Sequence, residues 1–289
     1  MSRGLDHIVH AVRDLDAAAE LYRRLGFQAG ARNRHPRTWG TENHIVQLPG
    51  VFVELLTVAD PTHIAPHAAH VFSFGAFNRN FLERGQGLSM LVLEGGGAGD
   101  AEAFRAAGIG DFEVYEFERE GRRPDGTPIK VAFSLAFAAD PQAPDVGFFT
   151  CQHRHPEHFW NPAFQVHPNS AIGIAGAVLV AENPTDHHIF LSAFVGERDI
   201  QATSSGITVP TPRGDIQVMD PVAFRSHFGT EPPDIANGAR LAALRFAVRD
   251  FGAAVDALKR GGVPAQVRMG RIVVGPDVGM GATFVFEAA

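Results

Sequence analysis

One sequence pattern occurs twice in this chain. Residues 11–27 read AVRDLDAAAELYRRLGF and residues 247–263 read AVRDFGAAVDALKRGGV, with eight of the seventeen positions identical, Asp14 and Asp250 among them. Each copy follows an apolar, strand-like run and leads through an apolar helix to a glycine. The repeat predicts a fold made by duplication of a small strand–helix module, with the chemistry in the concave surface between modules.

Length and composition restrict the class of protein. The 289 residues suffice for two domains, and the net charge of −7 without a Lys/Arg block argues against a nucleic-acid partner. A single cysteine, Cys151, excludes an intrachain disulfide and fits a reducing compartment. Because the sequence shows neither a signal peptide nor an apolar run of membrane-spanning length, we expect a cytoplasmic protein without a membrane partner.

Four strand–helix–strand–strand–strand units, starting near residues 5, 88, 172 and 241, are predicted along the chain. The expected fold class is α+β, with four βαβββ modules paired into two domains, 1–154 and 170–289. Each domain would be a curved, incompletely closed sheet with helices outside. The first unit would comprise a strand from Leu5 to Val12, a helix from Leu15 to Leu25, and strands near 27–34, 44–48 and 51–58.

Three connecting segments stand out between these units. The insertion Ala59–Arg84 has a length typical of lids and binding segments. The stretch Arg122–Gly126 predicts a hairpin loop, and His155–Pro168 predicts a linker between the domains.

The segments LDHIVHAVRDLDAAAELYRRLGF, WGTENH and VFVELL resemble glyoxalase-like proteins of the vicinal oxygen chelate superfamily, which also includes bleomycin resistance proteins and extradiol dioxygenases. The repeat at 247–263 extends the resemblance, whereas the second and third modules match weakly. The resemblance implies a divalent metal held by a first-strand His and a last-strand Glu of one module, with further ligands from its partner. Such a metal binds two neighbouring substrate oxygens and stabilises an oxyanion.

The resemblance assigns the first-strand ligand to His7, seven residues before Asp14. Regular alternation along the strand would place Leu5 and Val9 on the face of His7 and His10 on the opposite face. His7 and His10 therefore cannot both point into one site, and His10 is expected to pack beside a helix.

Glu54 in VFVELL matches the last-strand ligand position and shares a face with Phe52 and Leu56. A carboxylate on an otherwise apolar strand face is costly unless it is paired or bound to a metal. We therefore interpret Glu54 as a metal ligand and catalytic residue and Phe52 as a pocket residue. An ion pair with an arginine such as Arg32 is the alternative.

Further pocket residues are predicted around these two. Asn43, the last residue of a GT-x-N-like segment, and His44, which follows it, are interpreted as polar groups of the pocket; the alternative is a turn and a solvated strand end. In the second module, Ser89 stands about where a His would be, and Cys151 or Thr150 falls near the carboxylate position. Ser89 and Cys151 are predicted pocket residues, although a single strand cysteine is more often a packing residue.

His153 is the predicted third ligand and a second catalytic residue. Together with His7 and Glu54 it would form a set of two histidines and one carboxylate, which suits Fe, Mn or Zn. Ni is a fourth candidate ion.

The C-terminal half lacks the corresponding histidines. Adding the repeat offset of 236 to position 7 gives Ala243, and the third module offers Ala175 or Gly176. Glu287 is retained near the end of the fourth module without a His partner. The C-terminal pair is therefore predicted to be metal-free, which counts against an extradiol dioxygenase because those enzymes carry iron in that pair.

The favoured hypothesis is a metal-dependent isomerase, lyase or hydrolase that acts on a small oxygenated substrate in the N-terminal domain. The first alternative is a metal-free protein that binds a planar or hydrophobic small molecule, and the presence of Ser89 supports it. An extradiol-type dioxygenase and a structural homo-oligomer are further alternatives. Exposed sheet edges favour a homodimer.

Overall fold

The computed structural model describes residues 2–122 and 126–289, so residues 123–125 of the predicted hairpin loop lie outside the described residues. In the described residues, sixteen strands form two eight-stranded sheets, one from each half of the chain. The strands of the first sheet are β1 (Leu5–Ala11), β2 (Asn33–Arg34), β3 (Thr41–Leu48), β4 (Val51–Val58), β5 (Gly87–Glu94), β6 (Tyr115–Arg122), β7 (Pro128–Ala138) and β8 (Gly147–His153).

The second sheet repeats this arrangement. Its strands are β9 (Ala171–Val180), β10 (Gln201–Thr203), β11 (Gly206–Pro210), β12 (Asp215–Met219), β13 (Arg240–Val248), β14 (Gln266–Arg268), β15 (Arg271–Val274) and β16 (Thr283–Ala288). The helices are α1 (Leu15–Arg24), α2 (Phe74–Arg84), α3 (Ala98–Ala107), α4 (Pro156–Phe159), α5 (His188–Val195), α6 (Pro221–Phe228) and α7 (Phe251–Arg260). None of these helices is long and apolar enough to cross a membrane.

The strand order confirms the predicted α+β fold of paired βαβββ modules. The first sheet runs β2-β3-β4-β1-β5-β8-β7-β6 and the second β10-β11-β12-β9-β13-β16-β15-β14. In each sheet the first strands of two modules pair antiparallel at the centre, and each first strand pairs parallel with the last strand of its own module. The division of the chain into domains 1–154 and 170–289 stays a prediction.

The repeated sequence pattern encodes two equivalent helix starts. Asp14 accepts a hydrogen bond from the Ala17 amide at 2.9 Å, and Asp250 accepts one from the Ala253 amide at 3.0 Å. An aspartate in this position satisfies an amide that the first helical turn leaves free. The aspartate that the two copies of the repeat share therefore has a local structural role at the start of each helix.

Two segments are more structured than the sequence indicates, and one is less so. The insertion 59–84 contains α2, whose start is capped by Ser73, and the predicted linker 155–168 contains α4. The predicted strand at 27–34 is reduced to Asn33–Arg34. Its first residue, Phe27, instead packs against Phe246 of the other half, with the ring centres 4.8 Å apart.

The two halves share one hydrophobic core between the helix-bearing faces of their sheets. Phe148 on β8 is fully buried and its ring lies 4.7 Å from Phe190 and 5.4 Å from Phe194, both on α5. Large buried aromatic rings dominate the energetics of such a core.

The opposite faces of the two sheets differ. On the second sheet, α6 lies across the face and buries Phe224 and Phe228 against Val178 and Ala243. On the first sheet, the corresponding face remains open as a cavity. This difference leaves the N-terminal half as the one with room for a ligand at this position.

His10 lies on the helix side of β1, as predicted, and provides a pH-dependent contribution to stability. Its ring lies 3.2 Å from the Tyr22 hydroxyl and 3.1 Å from the Met280 carbonyl oxygen of the other half. Burial lowers the pKa of His10 from 6.5 to about 4. The unfolded chain therefore binds the extra proton first, so the stability from neutral His10 is present above pH 6.5 and lost as the pH falls towards 4.

We expect this residue alone to lower the free energy of unfolding by about 3 kcal/mol across that interval. Urea unfolding between pH 7 and pH 4 should show a shallower decline for His10→Gln than for the wild type. Exposed His188 provides the control, since His188→Gln should keep the wild-type slope. Equal slopes for all three proteins would contradict the prediction.

Candidate functional site

A cavity opens on the concave face of the first sheet. It encloses about 520 Å³ of space, counting its mouth to solvent. Its walls are mainly aromatic, and its lining residues are His7, His35, Trp39, Asn43, Ile45, Phe52, Glu54, Phe74, Phe117, Arg119, Phe133, Leu135, Phe149, Cys151 and Phe159. An apolar cavity with a few convergent polar groups is the usual form of a small-molecule site.

A β-bulge places the side chain of Asp6 against His7, which lines the cavity. The pairing of β1 with β5 shifts between Leu5 and His7, which leaves Asp6 as the extra residue. Because of the bulge, Leu5 faces the core between the halves, so the prediction that it shares a face with His7 is wrong. Asp6 instead bonds to the neighbouring His7, with Oδ1 2.5 Å from Nδ1.

Asp6 is a buried carboxylate with two imidazole partners. Its Oδ2 also lies 3.0 Å from Nε2 of His153. Burial alone opposes ionisation, but the hydrogen bonds and charges of His153 and His7 outweigh it and lower the pKa of Asp6 to about 2. The ionised carboxylate accepts the Nδ1–H of His7, which leaves the Nε2 lone pair of His7 available.

Glu54 lies opposite that lone pair. Its Oε2 is 3.8 Å from Nε2 of His7, and its Oε1 accepts a hydrogen bond from Nδ2 of Asn43 at 2.6 Å. Nε2 of His35 lies 3.3 Å from the same Oε1. The alternative ion pair between Glu54 and Arg32 is not formed, since Arg32 binds Asp16 and Glu42.

Those pairings of Arg32 measure 2.6 Å to Asp16 and 3.2 Å to Glu42.

Burial lowers the pKa of His35, although the charge of Glu54 partly offsets this, so His35 is neutral near pH 7. A neutral imidazole can serve as a metal ligand or accept a proton.

The strand register identifies which residues of the second module correspond to His7 and Glu54. His7 pairs with Phe52, two residues before Glu54, and the equivalent pairing joins Met90 to Gly147, two residues before Phe149. Met90 and Phe149 therefore occupy the two equivalent positions. The prediction that Ser89 and Cys151 stand there is wrong by one and two residues.

Ser89 lies outside the cavity lining. It is the extra residue of a second bulge, between the pairs Val9–Met90 and His10–Leu88. Its hydroxyl donates to Oδ1 of Asn78 on α2 at 3.0 Å.

Cys151 lines the cavity, while His153 lies beside Asp6. One ligand-type atom from each of Asp6, Cys151 and His153 lies within 4.8 Å of the others. Nδ1 of His153 is buried without a hydrogen-bond partner in the described residues, and the ring stacks on Trp160. Burial raises the pKa of Cys151, which disfavours the thiolate that nucleophilic catalysis needs.

The remaining predicted pocket residues divide into two groups. Asn43 lines the cavity, and Phe52 stacks on His7 with ring centres 4.2 Å apart and planes 15° apart. His44 faces away from the cavity, because Nδ1 lies 2.7 Å from the Gly30 carbonyl oxygen. Alternation explains the result, since Asn43 and His44 are neighbours on one strand.

Sequence reasoning missed Asp6, His35, Trp39 and Arg119. Asp6 is out of phase with the alternation because of the bulge, and His35 and Trp39 come from the irregular segment before β3. A signal for Arg119 does exist, because Tyr115, Phe117 and Arg119 alternate with glutamates along β6.

The C-terminal half carries no His–Glu pair at the corresponding positions. Ala243 pairs with Thr283, so the fourth-module counterparts of His7 and Glu54 are Ala243 and Val285. Glu287 lies two residues beyond that position. It binds Arg245 at 2.6 Å and Arg271 at 2.8 Å.

The third module gives the same result. Gly176 pairs with Asp215, which makes Gly176 and Gln217 the counterparts of His7 and Glu54. Of the two residues predicted there, Gly176 is the one in register.

The first-module donors have the chemistry of a divalent-metal site. His7 Nε2, the Glu54 carboxylate and His35 Nε2 supply two imidazoles and one carboxylate, a combination that suits Fe(II), Mn(II) or Zn(II). The Asp6 carboxylate on Nδ1 of His7 is the kind of outer contact that orients metal-bound histidines. The donor types suit such an ion, and all three residues come from one module. Among the described residues, however, the groups whose ligand atoms lie within 4.8 Å of one another are Asp6, Cys151 and His153, and His155, Glu157 and His158. Binding of one ion by His7, Glu54 and His35 would therefore require these side chains to move closer together.

Comparison with known proteins identifies the family of this fold. Residues 5–194 match the family model described as a glyoxalase-like domain. A hypothetical protein from Staphylococcus aureus superposes with a TM-score of 0.69 at 11% identity, covering 99% of this chain and 100% of that one. A mutant of 4-hydroxymandelate synthase from Streptomyces coelicolor gives 0.61 at 13% identity, covering 100% and 94%. No curated protein matches the chain. At these identities the structural likeness shows the fold alone.

Proposed function

We propose, because the chain belongs to the glyoxalase-like family, that the N-terminal cavity is the active site of a divalent-metal-dependent enzyme acting on a small oxygenated molecule. The observation that carries the proposal is the pair formed by Nε2 of His7 and the Glu54 carboxylate, 3.8 Å apart and buried in the cavity. His7, Glu54 and His35 would hold the ion. When bound, the ion would polarise a carbonyl or enediolate oxygen of the substrate.

The protein side chains would orient the substrate and move its proton. Asn43 holds Oε1 of Glu54 by a 2.6 Å hydrogen bond, which leaves Oε2 as the oxygen able to accept a substrate proton. His153 contacts Asp6 rather than Glu54, so we propose that it positions His7 through Asp6. Proton transfer, as in an isomerase or lyase, or hydrolysis, is favoured over oxygen chemistry.

The aromatic walls would exclude water from this reaction. Trp39 stacks on Phe74 of α2, with ring centres 4.2 Å apart, and Phe159 of α4 contributes from the other connecting segment. Both segments that link the modules and the halves therefore supply lining residues. Excluding water strengthens every charge interaction inside such a cavity.

A metal-free binding protein is the second candidate function. Met90 and Phe149 favour it, because they place apolar side chains where the resemblance expects the partner module's ligands. In that case His7 and Glu54 would bind polar atoms of a ligand directly.

Metal uptake separates the two candidates. Elemental analysis of the purified, untagged protein should find close to one equivalent of Fe, Mn, Ni or Zn, and EDTA dialysis should remove it. Calorimetric titration of the stripped protein with each ion should then restore one site. Failure to take up any of the four ions would contradict the metal-dependent enzyme and favour the binding protein.

A further inference from the structure

The side chain of Arg119 places a positive charge in a part of the cavity wall that is otherwise aromatic. Along β6, Glu116, Glu118 and Glu120 are exposed, while Phe117 and Arg119 line the cavity. On the outer side, Glu118 binds Lys130 on the neighbouring strand at 2.6 Å. Glu116 on the same side binds Arg154, so cations of other segments neutralise these outward glutamates, whereas Arg119 places a positive charge inside the cavity.

Within the described residues, Arg119 has no carboxylate partner at ion-pair distance. Its one hydrogen bond there joins Nη1 to Oδ1 of Asn33 at 2.8 Å. Burial lowers the pKa of Arg119, and the more distant charge of Glu54 only partly offsets this. A guanidinium has five N–H donors and stays charged in proteins, so Arg119 keeps donors available for a ligand.

The nearby walls favour a flat, apolar ligand body. Phe117 stacks on Phe133 with ring centres 5.1 Å apart and planes 27° apart, and Trp39 lies 5.2 Å from Phe117. Flat aromatic faces pack well against a planar group. The planar fork of an arginine matches the geometry of a carboxylate, which it can bind through two parallel hydrogen bonds.

We propose that Arg119 is a specificity-determining residue that selects an aryl carboxylate as the ligand of this cavity. The carboxylate would accept hydrogen bonds from the guanidinium, and the aromatic body would lie against the wall formed by Trp39, Phe117 and Phe133. The inference rests on the proposed role of the cavity as a substrate site, and it names the substrate class. It does not depend on whether the ion at His7 and Glu54 is present.

The test compares two probes of nearly equal shape, trans-cinnamate and its neutral amide, trans-cinnamamide. Binding is followed by quenching of tryptophan fluorescence, since both tryptophans are near the site: Trp39 lines the cavity and Trp160 contacts Phe52. The wild type should bind cinnamate about tenfold or more tightly than cinnamamide, as expected for hydrogen bonds between charged groups. The titrations are repeated after EDTA dialysis, so that a metal cannot supply the preference.

Variants of Arg119 then test whether this residue causes the preference for cinnamate over cinnamamide. Arg119→Met should reduce the ratio of the two affinities to near one, and Arg119→Lys, which keeps the charge without the fork, should give an intermediate ratio. Lys130→Met is the matched control on the outer face and should keep the wild-type ratio. Circular dichroism and metal content should be unchanged in all three variants.

Three outcomes would overturn the proposal: no binding of cinnamate by the wild type, equal binding of both probes, or an unchanged ratio in both Arg119 variants. The result is separable from the proposed function. A protein that takes up no metal and still prefers cinnamate through Arg119 would refute the metal-dependent enzyme and support the carboxylate site.

Discussion

Replacement of Glu54 by glutamine should lower the affinity of the protein for its divalent cation by about a hundredfold or more. Changes to groups that merely orient a metal ligand already cost 10–100-fold, and Glu54 is the one carboxylate of the proposed set. The substitution keeps the size of the side chain and an oxygen for the Asn43 hydrogen bond. It removes the negative charge that favours the charged form of Arg119 in the same cavity. Calorimetric titration of EDTA-stripped protein measures the change.

Glu42 offers a matched control for this variant. It is a buried glutamate on β3, next to Asn43 in sequence but paired with Arg32 and Arg34 rather than lining the cavity. Glu42→Gln should therefore retain the wild-type metal affinity. Equal affinities in the wild type and Glu54→Gln, with one equivalent bound in each, would show that the ion lies elsewhere. The cluster of Asp6, Cys151 and His153 would then be the next site to test.

Phe148→Ala should lower the free energy of unfolding by about 3–5 kcal/mol, the usual cost of removing a fully buried phenylalanine. Phe148 belongs to the first sheet, yet its ring contacts Phe190 and Phe194 of the second half. The cavity left behind would lie in the core that the halves share. We therefore expect both halves to be destabilised together, in a single cooperative transition.

Urea denaturation followed by circular dichroism measures this loss. Phe164, which is 46% exposed, provides the control, and Phe164→Ala should change the free energy of unfolding by less than about 0.5 kcal/mol. A wild-type curve with two separate transitions, of which Phe148→Ala moves only the first, would contradict the shared core.

The fold and five of the fifteen residues that line the cavity could be predicted because their signals are local. The repeat around Asp14 and Asp250 predicts the modules, and the apolar strand around Glu54 marks a carboxylate that needs a partner. Regular alternation also places His7 and His10 on opposite faces. Each of these inferences needs only neighbouring residues.

The rest depends on strand pairing, which one sequence does not reveal. The bulge at Asp6 moves a carboxylate beside His7, and the bulge at Ser89 shifts the second-module position to Met90. His35 reaches Glu54 from an irregular segment whose path is set by packing. Arg119 comes from the other module, so it shares a cavity with Glu54 only after the sheet has formed.

The α6 helix across the second sheet has a consequence for how this molecule can change. An open apolar cavity lacks the packing contacts that a filled core would make. In this chain the N-terminal half has the open cavity, whereas Phe224 and Phe228 fill the corresponding space in the C-terminal half. Since the halves share a core, surplus stability in the filled half can offset losses around the open one. The duplication thus assigns stability to one half and ligand binding to the other. Substitutions around Trp39 and Phe117 can then change which ligands bind while the filled half maintains the fold.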